Sequence, residues 1–62
     1  MHDFLFELTE HSPNEGEQIL VECDTLEDAY RTLSDNGFEP CEYEYIERLT
    51  VAEGEMLGLD TY

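Results

Sequence analysis

The residues of this chain that could do chemistry are two histidines, two cysteines and many carboxylates. His2 lies at the terminus and His11 in a loop, and neither has a metal-ligand spacing with Cys23 or Cys41. No glycine-rich phosphate loop, nucleophile elbow or calcium loop is present, and no pattern marks a carboxyl group tuned by burial for acid catalysis. We therefore expect no enzyme activity, no metal site and no cofactor.

The two cysteines are too few for a disulfide scaffold and too far apart for a metal-binding pair motif. We expect two small core residues in a reducing compartment, with a disulfide between neighbouring elements as the alternative. The acidic start MHDFLFELTE has no long apolar stretch, and no run is long enough to span a bilayer. The sequence therefore predicts a cytoplasmic protein.

Charge is the dominant feature of the composition. Seventeen Asp and Glu face two Arg and no Lys, for a formal net charge of -15. Self-repulsion on this scale destabilises a compact state, and it disfavours nucleic acid and anionic membranes as direct partners. It favours the basic surface of another protein, reached by steered, salt-sensitive association. Another kind of acidic interaction module and adaptation to high salt are the alternatives.

The length of 62 residues predicts one acidic domain over residues 1–62. A domain of this size buries only about 60% of the surface that its unfolded chain exposes, which favours a binding module over an enzyme with a deep cleft. Its oligomeric state is expected to be a monomer or a weak homodimer through an exposed strand edge. Disorder is excluded for most of the chain because 40% of the residues are hydrophobic and fall in periodic runs.

Alternating hydrophobic residues predict two strands, over 3–9 and 17–23, joined by a hairpin loop with turn residues. FEPCEYEYIERL, residues 38–49, predicts a third strand with Pro40 at its start or edge. The residues expected to face the core on the first two strands are Phe4, Phe6, Leu8, Ile19, Val21 and Cys23.

A helix is predicted between the second and third strands. Thr25 is a suitable N-cap, Gly37 occupies the position of a left-handed C-terminal cap, and an (i, i+4) pair joins Glu27 to Arg31. The apolar face of this helix comprises Leu26, Ala29, Tyr30 and Leu33.

A short last helix is predicted to begin with the capping box of Thr50 and Glu53 and to end at Gly58. Gly54 is expected to weaken this helix, and the tail LDTY is expected to be loose. The residues expected to pack back on the domain are Val51, Met56 and Leu57.

These elements predict an α+β fold of order β-β-α-β-α. The expected sheet is mixed or antiparallel with strand order 3-1-2, and the first helix crosses one face. The other face is expected to be open, unless the last helix covers part of it.

The third strand can place its glutamates on that open face. We assign Cys41, Tyr43, Tyr45, Glu47 and Leu49 to the core face, with Glu42, Glu44, Ile46 and Arg48 pointing out. The expected binding row is Glu7, Glu22, Glu42 and Glu44, with Leu5 and Leu20 as apolar contacts. A second acidic patch comprises Glu27, Asp28, Asp35, Glu53 and Glu55.

Carboxylates on alternate residues of a strand are about 6.6 Å apart, which is comparable to the spacing of phosphates in nucleic acid. The segment TLEDAYRTLSDNGFEP, between two strands, resembles the short phage-encoded inhibitor of bacterial RNA polymerase over residues 17–49. Size, charge and lack of Lys resemble those of DNA-mimicking phage inhibitors, including anti-CRISPR proteins and inhibitors of DNA-processing enzymes.

This resemblance implies an inhibitor that blocks the DNA-binding surface of a host nucleoprotein complex, above all an anti-CRISPR protein in the host-cell cytoplasm. The alternative is an inhibitor that binds RNA polymerase or another host enzyme outside its DNA channel.

Overall fold

The computed structural model describes residues 1–62 and contains three strands, two α-helices and one 3-10 turn. In chain order the elements are β1 (His2–Leu8), β2 (Gln18–Cys23), α1 (Leu26–Asp35), the 3-10 turn (Pro40–Glu42), β3 (Tyr43–Leu49) and α2 (Val51–Leu57). The sheet order is β2-β1-β3, and both neighbours run antiparallel to β1. The predicted α+β class, element order and strand order are confirmed.

The main core lies between α1 and one face of the sheet, because the apolar stripes of these elements match. The fully packed side chains of this core are Phe4, Phe6, Leu8, Ile19, Val21, Ala29 and Leu33. Tyr30, Tyr43 and Tyr45 surround the Phe6 ring at centroid distances of 5.5 to 5.8 Å. These aromatic contacts join α1 to β1 and β3.

Both ends of α1 are defined by hydrogen bonds that the sequence predicts. The Thr25 hydroxyl accepts from the Asp28 backbone N–H at 3.1 Å. At the other end Gly37, with a φ of 88°, donates to the Ser34 carbonyl, and the Phe38 N–H donates to the Leu33 carbonyl. This pair of bonds is a Schellman motif, which satisfies the last carbonyls of the helix.

The third strand differs from its prediction in where it begins and in a bulge. Pro40–Glu42 forms a 3-10 turn, so the strand begins at Tyr43. Leu5 pairs with Glu47 and Phe6 with Tyr45, which leaves Ile46 as an extra residue.

The bulge reverses the alternation of faces beyond it. Tyr43 and Tyr45 face the core as expected, but the assignment of Glu47 and Leu49 to that face was wrong. Arg48, expected to point out, takes the α1 side opposite Phe4.

The second face of the sheet is covered in part by α2 and the C-terminal tail. Leu5 and Leu20, expected on an open face, are buried. The Leu20 N–H donates to the Asp60 carbonyl at 2.9 Å, and the Tyr62 N–H donates to the Leu20 carbonyl at 2.8 Å. The expectation of a loose tail was therefore wrong, because the tail pairs with the outer edge of β2.

Gly54 allows α2 to pack closely against β1. This glycine was expected only to weaken the helix, but it is also needed for the packing of the helix. Its Cα lies over the side chain of Asp3, and an ideal Cβ at this position would stand 2.8 Å from the Asp3 Cβ. Real Cβ atoms are not found that close to a neighbour, so the packing of α2 requires glycine here. The contact also buries Asp3, whose exposed fraction is 2%.

Both cysteines are free thiols: Cys23 is half-buried beside the core, whereas Cys41, in the 3-10 turn, is exposed. The expectation that Cys41 is a core residue was therefore wrong, because the turn carries it off the sheet. No helix is long and apolar enough to cross a membrane.

Replacing Gly54 by Ala tests the close approach of α2 and β1. Ala at an exposed helix position stabilises by about 1 kcal/mol relative to Gly, but overpacking at this contact costs about 1–3 kcal/mol. We expect Gly54→Ala to lower the urea midpoint, while Met56→Ala, at an exposed position of the same helix, leaves it nearly unchanged. A rise in the midpoint of Gly54→Ala would show that α2 does not pack as described.

Candidate functional site

Most of the acidic side chains have no cationic partner. Two ion pairs join Asp24 to the Met1 amino group and Asp28 to Arg31, and Glu10 lies 3.8 Å from the His11 ring, which is a cation only when protonated. These contacts use three of the seventeen acids, so fourteen carboxylates have no cationic or histidine partner. The expected pairing of Glu27 with Arg31 is replaced by the (i, i+3) pair with Asp28 at 3.4 Å. The surface therefore presents nearly all of its negative charge to whatever approaches it.

The topology concentrates glutamates at one end of the sheet. The hairpin loop between β1 and β2, the 3-10 turn and the start of β3 meet there, because the Thr9 N–H donates to the Glu42 carbonyl at 2.9 Å. We call this region the glutamate-rich end; it comprises Glu7, Glu10, Glu15, Glu17, Glu39, Glu42 and Glu44. Its only basic side chain is that of His11. Arg48 and the N-terminal amino group lie at the opposite end of the sheet.

Glu7 and Glu44 are the closest pair that the sheet itself imposes. They are directly paired residues of β1 and β3, so their Cβ atoms are about 4.5–5.5 Å apart. Like charges at such positions are destabilising. The pair therefore costs stability in the isolated domain.

The predicted row on the sheet is only partly brought together. Glu42 lies in the 3-10 turn, and its carboxylate accepts from the Glu39 N–H at 3.4 Å. Glu22 pairs with Asp3 at the far end of the sheet from Glu7 and Glu44. The row expected across three strands is therefore a cluster at one end, with Glu22 apart from it.

The predicted second patch is divided between the two faces of the sheet. Glu27, Asp28 and Asp35 are on α1, which packs on the main core. Glu53 and Glu55 are on α2, which packs on the opposite face against Asp3. One partner surface cannot contact both groups without wrapping around the domain.

Sequence reasoning missed several members of the glutamate-rich end and one neighbour of it on the sheet. The missed residues are Glu10, Glu15, Glu17, Glu39 and Glu47. The first four lie in the hairpin loop and beside the 3-10 turn, and the predicted strand directions alone place both connections at the same end. Glu47 was missed because the bulge at Ile46 turns it to the other face.

Asp3 is the one carboxylate with an interior environment. Its Oδ1 atom is buried and accepts no hydrogen bond. Burial raises the pKa of the Asp3 carboxyl above its ordinary value of 3.8, and the negative charge of Glu55 raises it further. Glu22 on β2 also flanks it, and no cation does. Asp3 is buried under α2, so its ionisation destabilises the fold, and it is not part of the exposed acidic surface.

The described chain contains no group of three or more His, Cys, Asp and Glu side chains that could hold a metal ion. No model of a known family, no curated protein and no solved structure matches the chain.

Replacing Asp3 by Asn tests the cost of the buried carboxylate. The folded-state pKa of Asp3 is raised, so the contribution of this group to stability is present below about pH 3.8 and is lost as pH rises through the folded pKa. Asn cannot ionise, so the stability of Asp3→Asn relative to the unsubstituted protein should increase across that window. The ionised form is the more costly one to bury, so Asp3→Asn should be the more stable protein at neutral pH.

Urea unfolding measured from pH 3 to pH 8, about the range in which carboxyl groups titrate, provides the comparison. Glu22→Gln is the matched control, because Glu22 pairs with Asp3 but is exposed. Identical pH dependence in the two variants would contradict a special role for the buried group.

Proposed function

We propose that this protein is an acidic DNA mimic that occupies the basic duplex-binding surface of a nucleoprotein complex. Its role is to prevent that complex from binding DNA, as an anti-CRISPR protein prevents a surveillance complex from binding its target. The partner is a protein surface rich in Arg and Lys, since a net charge of -15 repels nucleic acid directly.

The observation that carries this proposal is the match between the charge of the domain and that of a DNA duplex of equal length. The Cα trace extends 29 Å along its longest axis. Duplex DNA has one charge per about 1.7 Å of axis, or about 17 charges over the same length. The protein carries seventeen carboxylates over this length, and fourteen of them have no cationic or histidine partner. Asp3 is the one among these fourteen that is buried.

The glutamate-rich end supplies the densest part of this charge. A basic groove is built to neutralise closely spaced phosphates, and the paired Glu7 and Glu44 present two carboxylates at comparable spacing. Complementary charge of this kind steers the encounter of two proteins and accelerates it. The repulsion within the cluster is relieved when a cationic partner binds.

Charge reversal at two matched places tests where the partner binds. Glu7→Lys with Glu44→Lys changes the charge of the glutamate-rich end by four units and keeps a like-charged pair across the strands. Glu22→Lys with Glu27→Lys makes the same change at the other end of the domain. The partner is captured from bacterial lysate on the immobilised protein, purified, and titrated against each variant.

We expect the reversal at Glu7 and Glu44 to weaken binding by at least about 100-fold, because like-charge contacts at an interface cost several kcal/mol. The reversal at Glu22 and Glu27 should weaken it far less. Equal losses for the two pairs would contradict a binding surface at the glutamate-rich end. Both variants must first show an unchanged circular dichroism spectrum.

A further inference from the structure

An apolar groove lies on the second face of the sheet, next to the acidic surface. It has a volume of about 360 Å³ and is formed where α2 crosses β1 and β3. Its apolar wall comprises Leu5, Leu49, Met56 and Leu57. A volume of this size is near the lower end of the range for ligand pockets and suits one large side chain or one turn of helix.

Two large apolar residues of the groove wall are exposed, although burial of apolar surface favours folding. The exposed fraction of the residue is 88% for Met56 and 48% for Leu57. The expectation that they pack back on the domain was wrong for Met56, because Gly54 and Asp3 bring the other side of α2 onto the sheet. Exposed Met is common at surfaces that adapt to an apolar partner.

Carboxylates border the groove and set the charge of its occupant. Glu47 of β3 and Glu53 of α2 line it. The Glu53 carboxylate accepts a hydrogen bond from the Thr50 backbone N–H at 3.0 Å, and the bonds to Thr50 lower the pKa of Glu53 below its ordinary value. This carboxylate is therefore held in place and ionised at neutral pH. No Lys or Arg lines the groove.

We propose that the groove binds a basic amphipathic helix of the partner, with an apolar side chain in the groove and flanking Lys or Arg on Glu47 and Glu53. Charge complementarity selects this occupant: an acidic helix is repelled by the rim, and a second copy of this chain brings the same net charge of -15. The inference names the chemistry of the partner surface and rests on the proposed function.

The groove gives the protein an advantage over the DNA that it resembles. Binding of a basic protein to DNA weakens steeply as salt rises, because it depends on displaced counterions. Burial of apolar surface is not screened by salt in this way. An inhibitor that adds an apolar contact to its charges can therefore compete with duplex DNA at physiological salt.

Two synthetic peptides test the groove directly. The first is a helix of about eighteen residues, or five turns, with Leu along one face and Lys elsewhere. The second has the same Lys residues and Ala in place of each Leu, so its charge and helix propensity are matched. At about physiological salt we expect the Leu peptide to bind at least about tenfold more tightly, as burial of one Leu predicts.

Substitutions in the groove test whether its walls cause the difference in affinity between the two peptides. Met56→Ser with Leu57→Ser should abolish the preference for the Leu peptide, whereas Met1→Ser, at an exposed Met outside the groove, should retain it. If the double variant does not fold, Met56→Ser alone is tested for the loss of preference. Met56 is almost fully exposed, so its replacement should not impair folding. Equal binding of the two peptides, or a preference that survives the substitutions, would overturn the inference.

Failure of this inference and failure of the proposed function are distinguishable. The peptide assay contains neither DNA nor the partner, so it reports on the groove alone. The charge reversals at Glu7 and Glu44 lie outside the groove walls and report on the acidic surface.

Discussion

Burial of the central strand on both faces is the interaction that holds this highly charged chain together. On one face of β1, Phe4, Phe6 and Leu8 pack under α1; on the other, Leu5 and Asp3 lie under α2. Each carboxylate on the surface adds repulsion, and a small domain has little apolar area with which to offset it. Apart from buried Asp3, the acids therefore lie on the surface of the domain, and seven of them are concentrated in the glutamate-rich end.

The sequence predicts the fold well where local patterns decide it. The alternation of Phe4, Phe6 and Leu8, the Thr25 cap and Gly37 each specify an element. The right-handedness of crossover connections then selects the face of the sheet on which α1 packs. The bulge at Ile46 is not readable in the same way, because it depends on how β3 meets β1 across the sheet. The role of Gly54 could not be predicted from local sequence either. Helix propensity marks glycine as unfavourable, whereas the packing of α2 on Asp3 requires it. The candidate site was also predicted only in part. Glu7 and Glu44 are neighbours, as expected. The strand register places Glu22 at the far end of the sheet, and the 3-10 turn takes Glu42 out of the strand.

The two proposals, on charge and on the groove, combine into one mode of action. In it, the unpaired carboxylates attract a basic surface over long range, and the apolar groove beside them retains that surface at short range. Buried Asp3 adds a constraint of its own, because it lies under the helix that carries Met56 and Leu57. Any change that loosens the contact of Gly54 with Asp3 also displaces the groove wall. Stability of the domain and shape of its second face are thus linked through one close contact.

The most direct test of DNA mimicry is competition by DNA itself. The protein is immobilised and incubated with bacterial lysate at about physiological salt, without duplex DNA and with duplex at increasing concentrations, and the retained proteins are identified and quantified by mass spectrometry. Mimicry predicts a DNA-binding protein or complex whose retention falls as the duplex concentration rises. Retention that is the same at every duplex concentration would contradict mimicry, and would show an inhibitor that binds its target outside the DNA-binding surface.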